Sequence, residues 1–144
     1  AAEKGYRVPI GKAKTLAEGS DLTIISYARM IQVAQPAVAA LALAGISAEL
    51  IDLRSIAPWD REAVTASVAK TGRALIVHEA VTPFGVGAEI AAVLSEQFFG
   101  GLKAPVKRLG GAFCPVPFSK PLETAFAPRT DDIIAAAKAI VGGN

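Results

Sequence analysis

The stretch from Arg73 to Phe98, RALIVHEAVTPFGVGAEIAAVLSEQFF, constrains the chain most. Residues 74–78 are an apolar, β-branched run that reads as a buried strand. The loop behind it carries Pro83, Gly85 and Gly87. Residues 87–98 then put Ile90, Ala91, Leu94 and Phe98 on one stripe of a helix, with Glu89 and Glu96 off it. A strand that feeds a helix through a short loop is the unit of a parallel sheet, because parallel neighbours are reached only by a crossover. The stretch also holds the only histidine, His78, next to Glu79. Chemistry is therefore sought first near the end of this strand.

The same alternation runs through the chain. Residues 1–9 read as a tail or linker, and 13–16 as a short edge strand with Lys12 and Lys14 facing solvent. Strands are expected at 22–26, 48–53 and 106–109. A helix over 30–44 ends at Gly45. Pro36 should either kink it or delay its regular part to about Gln35. Asp60 is an N-cap for a helix over 61–70, with Ala63, Val64, Ser67 and Val68 on one face and Gly72 as its stop. Residues 112–128 carry four prolines and read as an extended crossing segment without a helix. Thr130 caps a last helix over 131–141, where Asp131 and Asp132 suit the dipole of the first turn. The expectation is a sheet with helices on both faces. Its ligand crevice would lie at the carboxyl ends of the strands, in loops 27–30, 54–60, 79–87 and 110–117.

Composition removes several function classes. A net charge of +2, without a cluster denser than Lys103, Lys107 and Arg108, argues against nucleic acid. One cysteine, Cys114, excludes an internal disulfide and a thiolate metal cluster, and fits a reducing compartment. No apolar run reaches the roughly 18 residues of a membrane span, and the N-terminus has no apolar signal core. The chain starts without Met, as a fragment or a processed product does.

The candidate chemistry is incomplete. Gly85 and Gly87 precede a helix whose first N–H groups suit an anion, but the pattern is neither GxGxxG nor a Walker loop; glycines needed for close packing explain it as well. His78 and Glu79 point to opposite faces of a strand and do not pair. His78 is either a lone base or a structural histidine bonded to backbone. Cys114 would need His78 to act as a nucleophile; a buried apolar thiol is the simpler reading. Asp52 and Arg54 flank one switch loop and suit a polar ligand or each other. These residues favour a binding or assembly module over an enzyme, with a stand-alone anion- or small-molecule-binding domain as the alternative.

The runs YRVPIGKA, EGSDLTIISYARM, AELIDLRSIAPWDREAVTASVAKTGRALIVHEA, GVGAEIAA, APVKRLGG, PVPFSKPLE and DDIIAAAKAI, in this order, resemble one family. It is the transketolase C-terminal-like domain at the end of the beta subunit of thiamine-diphosphate-dependent 2-oxo acid dehydrogenases. The resemblance spans Tyr6 to Val141, so residues 6–144 form one domain and 1–5 a tail. It implies a three-layer α/β/α fold with a mixed five-stranded sheet, mostly parallel, and one antiparallel edge strand. It also implies an intact enzyme that decarboxylates a 2-oxo acid and passes the acyl group to lipoyl. His78–Glu79–Ala80 leans toward branched-chain substrates; pyruvate and acetoin are the alternatives.

Thiamine diphosphate and Mg²⁺ are then bound outside this domain, and no catalytic, cofactor or metal residue falls within it. The implied partners are the alpha subunit, a second beta subunit and the peripheral subunit-binding domain of the lipoyl acyltransferase, with no nucleic acid and no membrane. Pro83, Phe84 and Gly85 are candidates for the beta–beta contact, and Glu89 and Glu96 for the acyltransferase. The implied site is the bacterial cytoplasm, or else the mitochondrial matrix. Two residues depart from the family pattern: Ala28 stands where Gly is usual, and Cys114 where Asp or Thr is common.

Overall fold

The computed structural model describes residues 7–143. The expected tail at 1–5 and the start of the match at Tyr6 lie outside them. Ten elements follow in order: β1 (Lys14–Ala17), β2 (Leu22–Ser26), α1 (Met30–Leu43), β3 (Ala48–Asp52), α2 (Arg61–Thr71), β4 (Ala74–Val81), α3 (Val86–Gln97), β5 (Lys107–Gly111), α4 (Lys120–Phe126) and α5 (Thr130–Gly142). The strands form one sheet in the order β1-β3-β2-β4-β5. β2, β3, β4 and β5 are parallel, and β1 lies antiparallel on β3 with a break in register between Thr15 and Ala17. This is the mixed five-stranded sheet that the sequence led us to expect.

The two faces of the sheet are covered separately, because side chains alternate along each strand. Leu22, Ile24, Leu50, Leu75 and Val77 pack under α1 and α5. Ile25, Ile51 and Ile76 pack under α2 and α3, against Val64, Val68, Ile90 and Leu94. Under α2 a buried hydroxyl cluster interrupts the apolar layer. Thr23 Oγ1 lies 2.7 Å from Ser67 Oγ and 2.8 Å from Thr71 Oγ1, and Thr71 Oγ1 donates to Arg73 O. Ser67 thus occupies a core-facing position on the helical stripe because it has a partner there.

Several details differ from the sequence reading. The edge strand is shifted by one residue, to Lys14–Ala17. α1 runs through Pro36 without a late start. Pro36 and Gln32, whose carbonyl loses its partner, both lie on the exposed face of the helix, where an unpaired oxygen costs little. Residues 112–128 are not wholly extended: Ser119 precedes a short helix, α4, in whose first turn Pro121 needs no N–H. Thr130 is the first residue of α5, not its cap. Asp132 accepts from Arg129 N at 2.9 Å and from its guanidinium, closing the first turn from one side, while the Thr130 hydroxyl donates to Val33 O at 3.0 Å and ties α5 to α1.

Candidate functional site

The loops at the carboxyl ends of the parallel strands share a backbone peculiarity. Ala28 (φ 53°), Arg54 (φ 59°) and Phe84 (φ 59°), one behind each of β2, β3 and β4, are left-handed non-glycine residues. Each such residue costs about 1 kcal/mol or more, and such strain gathers where a loop has to hold a set shape. Asp52 Oδ1 accepts from Arg54 N at 3.0 Å and shapes the turn after β3, which explains the carboxylate locally. For Ala28 the side chain brings no partner that would offset the strain. Ala28→Gly is therefore expected to raise stability by about 0.5–1 kcal/mol, measured as an increased urea midpoint at unchanged m-value.

β4 extends to Val81, three residues past the expected end, so His78 lies inside the strand rather than at its mouth. It is fully buried on the α3 side. Nδ1 lies 2.8 Å from Ala80 O; a carbonyl only accepts, so the proton sits on Nδ1. Three glycines wall the ring. A Cβ on Gly87 would lie 2.4 Å from Nε2, one on Gly110 would lie 2.9 Å from Cε1, and one on Gly85 would lie 3.0 Å from Cε1. Burial pushes the imidazole below the usual histidine range, and nearby Arg108 adds to this, against the opposing bond to Ala80. His78 is thus neutral and enclosed, without an open side for a substrate. The glycines at the start of α3 serve close packing on this ring. Cys114 is exposed, not the buried apolar thiol expected of it, and because His78 is fully enclosed the two do not meet as a nucleophile and base.

Glu79 takes the opposite face, as strand alternation requires, and its Oε1 accepts from Arg29 at 2.7 Å. The pair lines a cleft of about 690 Å³ at the carboxyl end of the sheet, closed on its far side by Lys120, Glu123 and Arg129. Lys120, Glu123, Thr124 and Phe126 of the lining belong to α4, which the run of prolines had hidden. Among the described residues no group of three or more His, Cys, Asp or Glu is placed to hold a metal ion, and no helix is long and apolar enough to cross a membrane.

Outside the cleft, one structural carboxylate was missed and another was read only in part. Glu49 is buried under α2, where it accepts from Lys70 and from Gly19 N. Burial pushes its pKa up, but the bonds from Lys70 and the other donors outweigh that and hold the group below its ordinary range. Sequence offered one signal: an acid in the middle of an apolar strand needs a partner. Asp60, read as a cap, does more. Its Oδ1 accepts from Ala63 N at 3.1 Å and its Oδ2 from Ala13 N at 3.0 Å, fixing the chain before β1 to the start of α2.

The surface candidates are all accessible. Phe84 is 93% exposed at the tip of the turn between β4 and α3, flanked by half-buried Pro83 and Gly85. Glu89 and Glu96 are exposed, seven residues apart and hence on one side of α3. Beyond β5 the chain forms an arm in which every residue from 112 to 125 except Pro117 is exposed, Phe113, Val116, Phe118 and Leu122 among them.

The model of the family described as "Transketolase, C-terminal domain" matches residues 11–133. The chain belongs to this family. Its relatives include the beta subunit of the mitochondrial pyruvate dehydrogenase E1 component of Pisum sativum, 46% identical over 136 residues, or 94% of this chain and 38% of that protein. The corresponding beta-2 subunit of Oryza sativa subsp. japonica is 45% identical over 94% of this chain and 36% of its own length. The pyruvate dehydrogenase E1 beta subunit of Staphylococcus epidermidis is 43% identical over 95% of this chain and 42% of its own. The family domain described here thus spans well under half the length of these relatives. Among solved structures, a split-gene transketolase described as an inactive beta4 tetramer superposes with a TM-score of 0.82 at 29% identity, over 96% of this chain and 44% of that one. A transketolase from Pichia stipitis shares the fold at 18% identity, with a TM-score of 0.58 over 92% of this chain and 18% of its own. The lean toward branched-chain substrates gains nothing from these relatives, which are named for pyruvate.

Proposed function

We propose that this chain is the C-terminal domain of the beta subunit of a 2-oxo acid dehydrogenase decarboxylase component, and that it serves assembly rather than chemistry. The observation that carries the reading is the 43–46% identity to pyruvate dehydrogenase E1 beta subunits across nearly the whole chain. The intact enzyme would decarboxylate pyruvate, in preference to a branched-chain acid or acetoin, with thiamine diphosphate and Mg²⁺, and pass the acyl group to lipoyl. This reading assigns the cofactor to other parts of the enzyme; the packing of Gly87 against His78 at the start of α3 supports it.

What this chain offers is surface. The loop with Pro83, Phe84 and Gly85 is assigned to a second beta subunit, and the apolar arm at 112–125 gives that contact more area. An exposed Phe in a rigid, left-handed turn is preorganised for burial at an interface. Glu89 and Glu96 are assigned to the peripheral subunit-binding domain of the acyltransferase, with the alpha subunit as the remaining partner. Residues 6–144 act as the domain, in bacterial cytoplasm or the mitochondrial matrix. Calorimetric titration of this chain with thiamine diphosphate and Mg²⁺ is expected to show no binding heat. Micromolar binding would overturn the assignment.

A further inference from the structure

The domain is built around His78 in its neutral form. With the Nδ1 proton given to Ala80 O, Nε2 is a buried atom without a hydrogen-bond partner. It faces the backbone of Gly87 in the first turn of α3. Unpaired N–H groups there carry the positive end of the helix dipole. A lone pair is favoured at that place, whereas a proton on Nε2 would lack an acceptor and meet positive potential.

The neighbouring charges do not relieve this. From β5, Arg108 adds a cation beside the ring, and its guanidinium donates to Thr82 O at 2.9 Å. From the end of β2, the Tyr27 ring stacks at 6.4 Å between centroids. On β4 itself, Glu79 points to the opposite face and is engaged by Arg29. The turn at 82–85 carries no titratable side chain, and Glu89 of α3 is exposed.

We propose that His78 is an acid-sensitive latch: the neutral ring seats the turn at residues 82–85 and the start of α3, and a solvent proton taken up at Nε2 releases them. Release is local because little else holds this segment. None of residues 82–86 is fully buried; apart from the ring the segment is held by Thr82 N to Gly111 O at 3.2 Å, by Arg108 to Thr82 O, by Ala88 N to Gly85 O at 2.8 Å and by half-buried Val86. The rest of α3 stays anchored by fully buried Ile90 and Leu94. The sign follows from the lowered folded-state pKa. The neutral ring contributes fully above the unfolded histidine value of about 6.5, and its contribution falls away as pH drops from there through the folded value. The inference concerns the turn itself and holds whether or not the turn is a subunit contact.

The test is an NMR titration of the whole chain from pH 7.5 to 5, in which the single histidine gives one unambiguous ring signal. The ring is expected to titrate with a midpoint below about 6.5. The hydrogen-bonded amides of Thr82 in the turn and Ala88 in the first turn of α3 should lose hydrogen-exchange protection tenfold or more at the same midpoint, after correction for intrinsic exchange, while strand β2 and helix α5 keep theirs. The latch is overturned by a ring midpoint at or above the ordinary value, by a ring still neutral at pH 5, by turn amides that ignore the transition, or by unfolding of the whole chain at that midpoint.

Discussion

Replacing Gly87 by alanine is expected to lower the stability of the domain by about 2–3 kcal/mol, as an overpacked core site does. The new Cβ would meet His78 Nε2 at 2.4 Å, Cδ2 at 2.8 Å and Ile76 Cγ2 at 3.2 Å. The ring has nowhere to go, since Nδ1 is tied to Ala80 O and Gly85 and Gly110 close its other side. Urea denaturation reads the loss as a lower midpoint. The double variant Gly87→Ala, His78→Ala should be less destabilised than the sum of the single ones by at least about 1 kcal/mol, because both act on one contact. A loss under about 0.5 kcal/mol for Gly87→Ala would show that the ring is not seated as described.

Asp60→Ala is expected to cost about 2–4 kcal/mol at neutral pH. It removes a helix cap and leaves Ala13 N and Ala63 N without their charged acceptor in a nearly buried place. Burial alone would raise the Asp60 pKa, but the two amides and Lys12 outweigh it and hold the carboxyl below the usual range. Its contribution is therefore complete above the ordinary carboxylate pKa of about 3.9 and is lost as pH falls through the folded value. The difference between wild type and variant should be largest near pH 7 and shrink toward pH 2. Denaturation curves at several pH values decide this; a constant difference would show that the charge plays no part.

The architecture was legible because each face of the sheet writes its own pattern. The run 22–26 was placed to the residue, and Asp60, Gly45 and Gly72 marked helix ends through their own chemistry. Where the reading failed, a tertiary partner had overridden a local signal. Pro36 is tolerated because it sits on the wet side of α1. α4 was hidden because proline in a first turn looks the same in sequence as proline in an extended arm. β4 was cut short at His78, since nothing local says that three glycines from two other segments enclose that ring. Such distant contacts are also why close packing was legible at Gly87 while the ring it packs on was not. The acids Glu89 and Glu96 were correctly placed on the exposed side of α3, because helical spacing alone decides that.

The sheet ends on both sides in strands ill suited to template another chain. β1 is four residues long, opens on exposed Lys14 and breaks register at Thr15, while β5 opens on exposed Lys107 and closes with two glycines. Charged, short or irregular borders of this kind resist strand addition. Copies of this domain are thus kept from growing into ribbons through their backbones. Under the proposed function, contact falls to side chains at the turn and the arm, where it can close into a finite assembly. A concentrated sample at neutral pH should accordingly form discrete oligomers and stay free of fibrils.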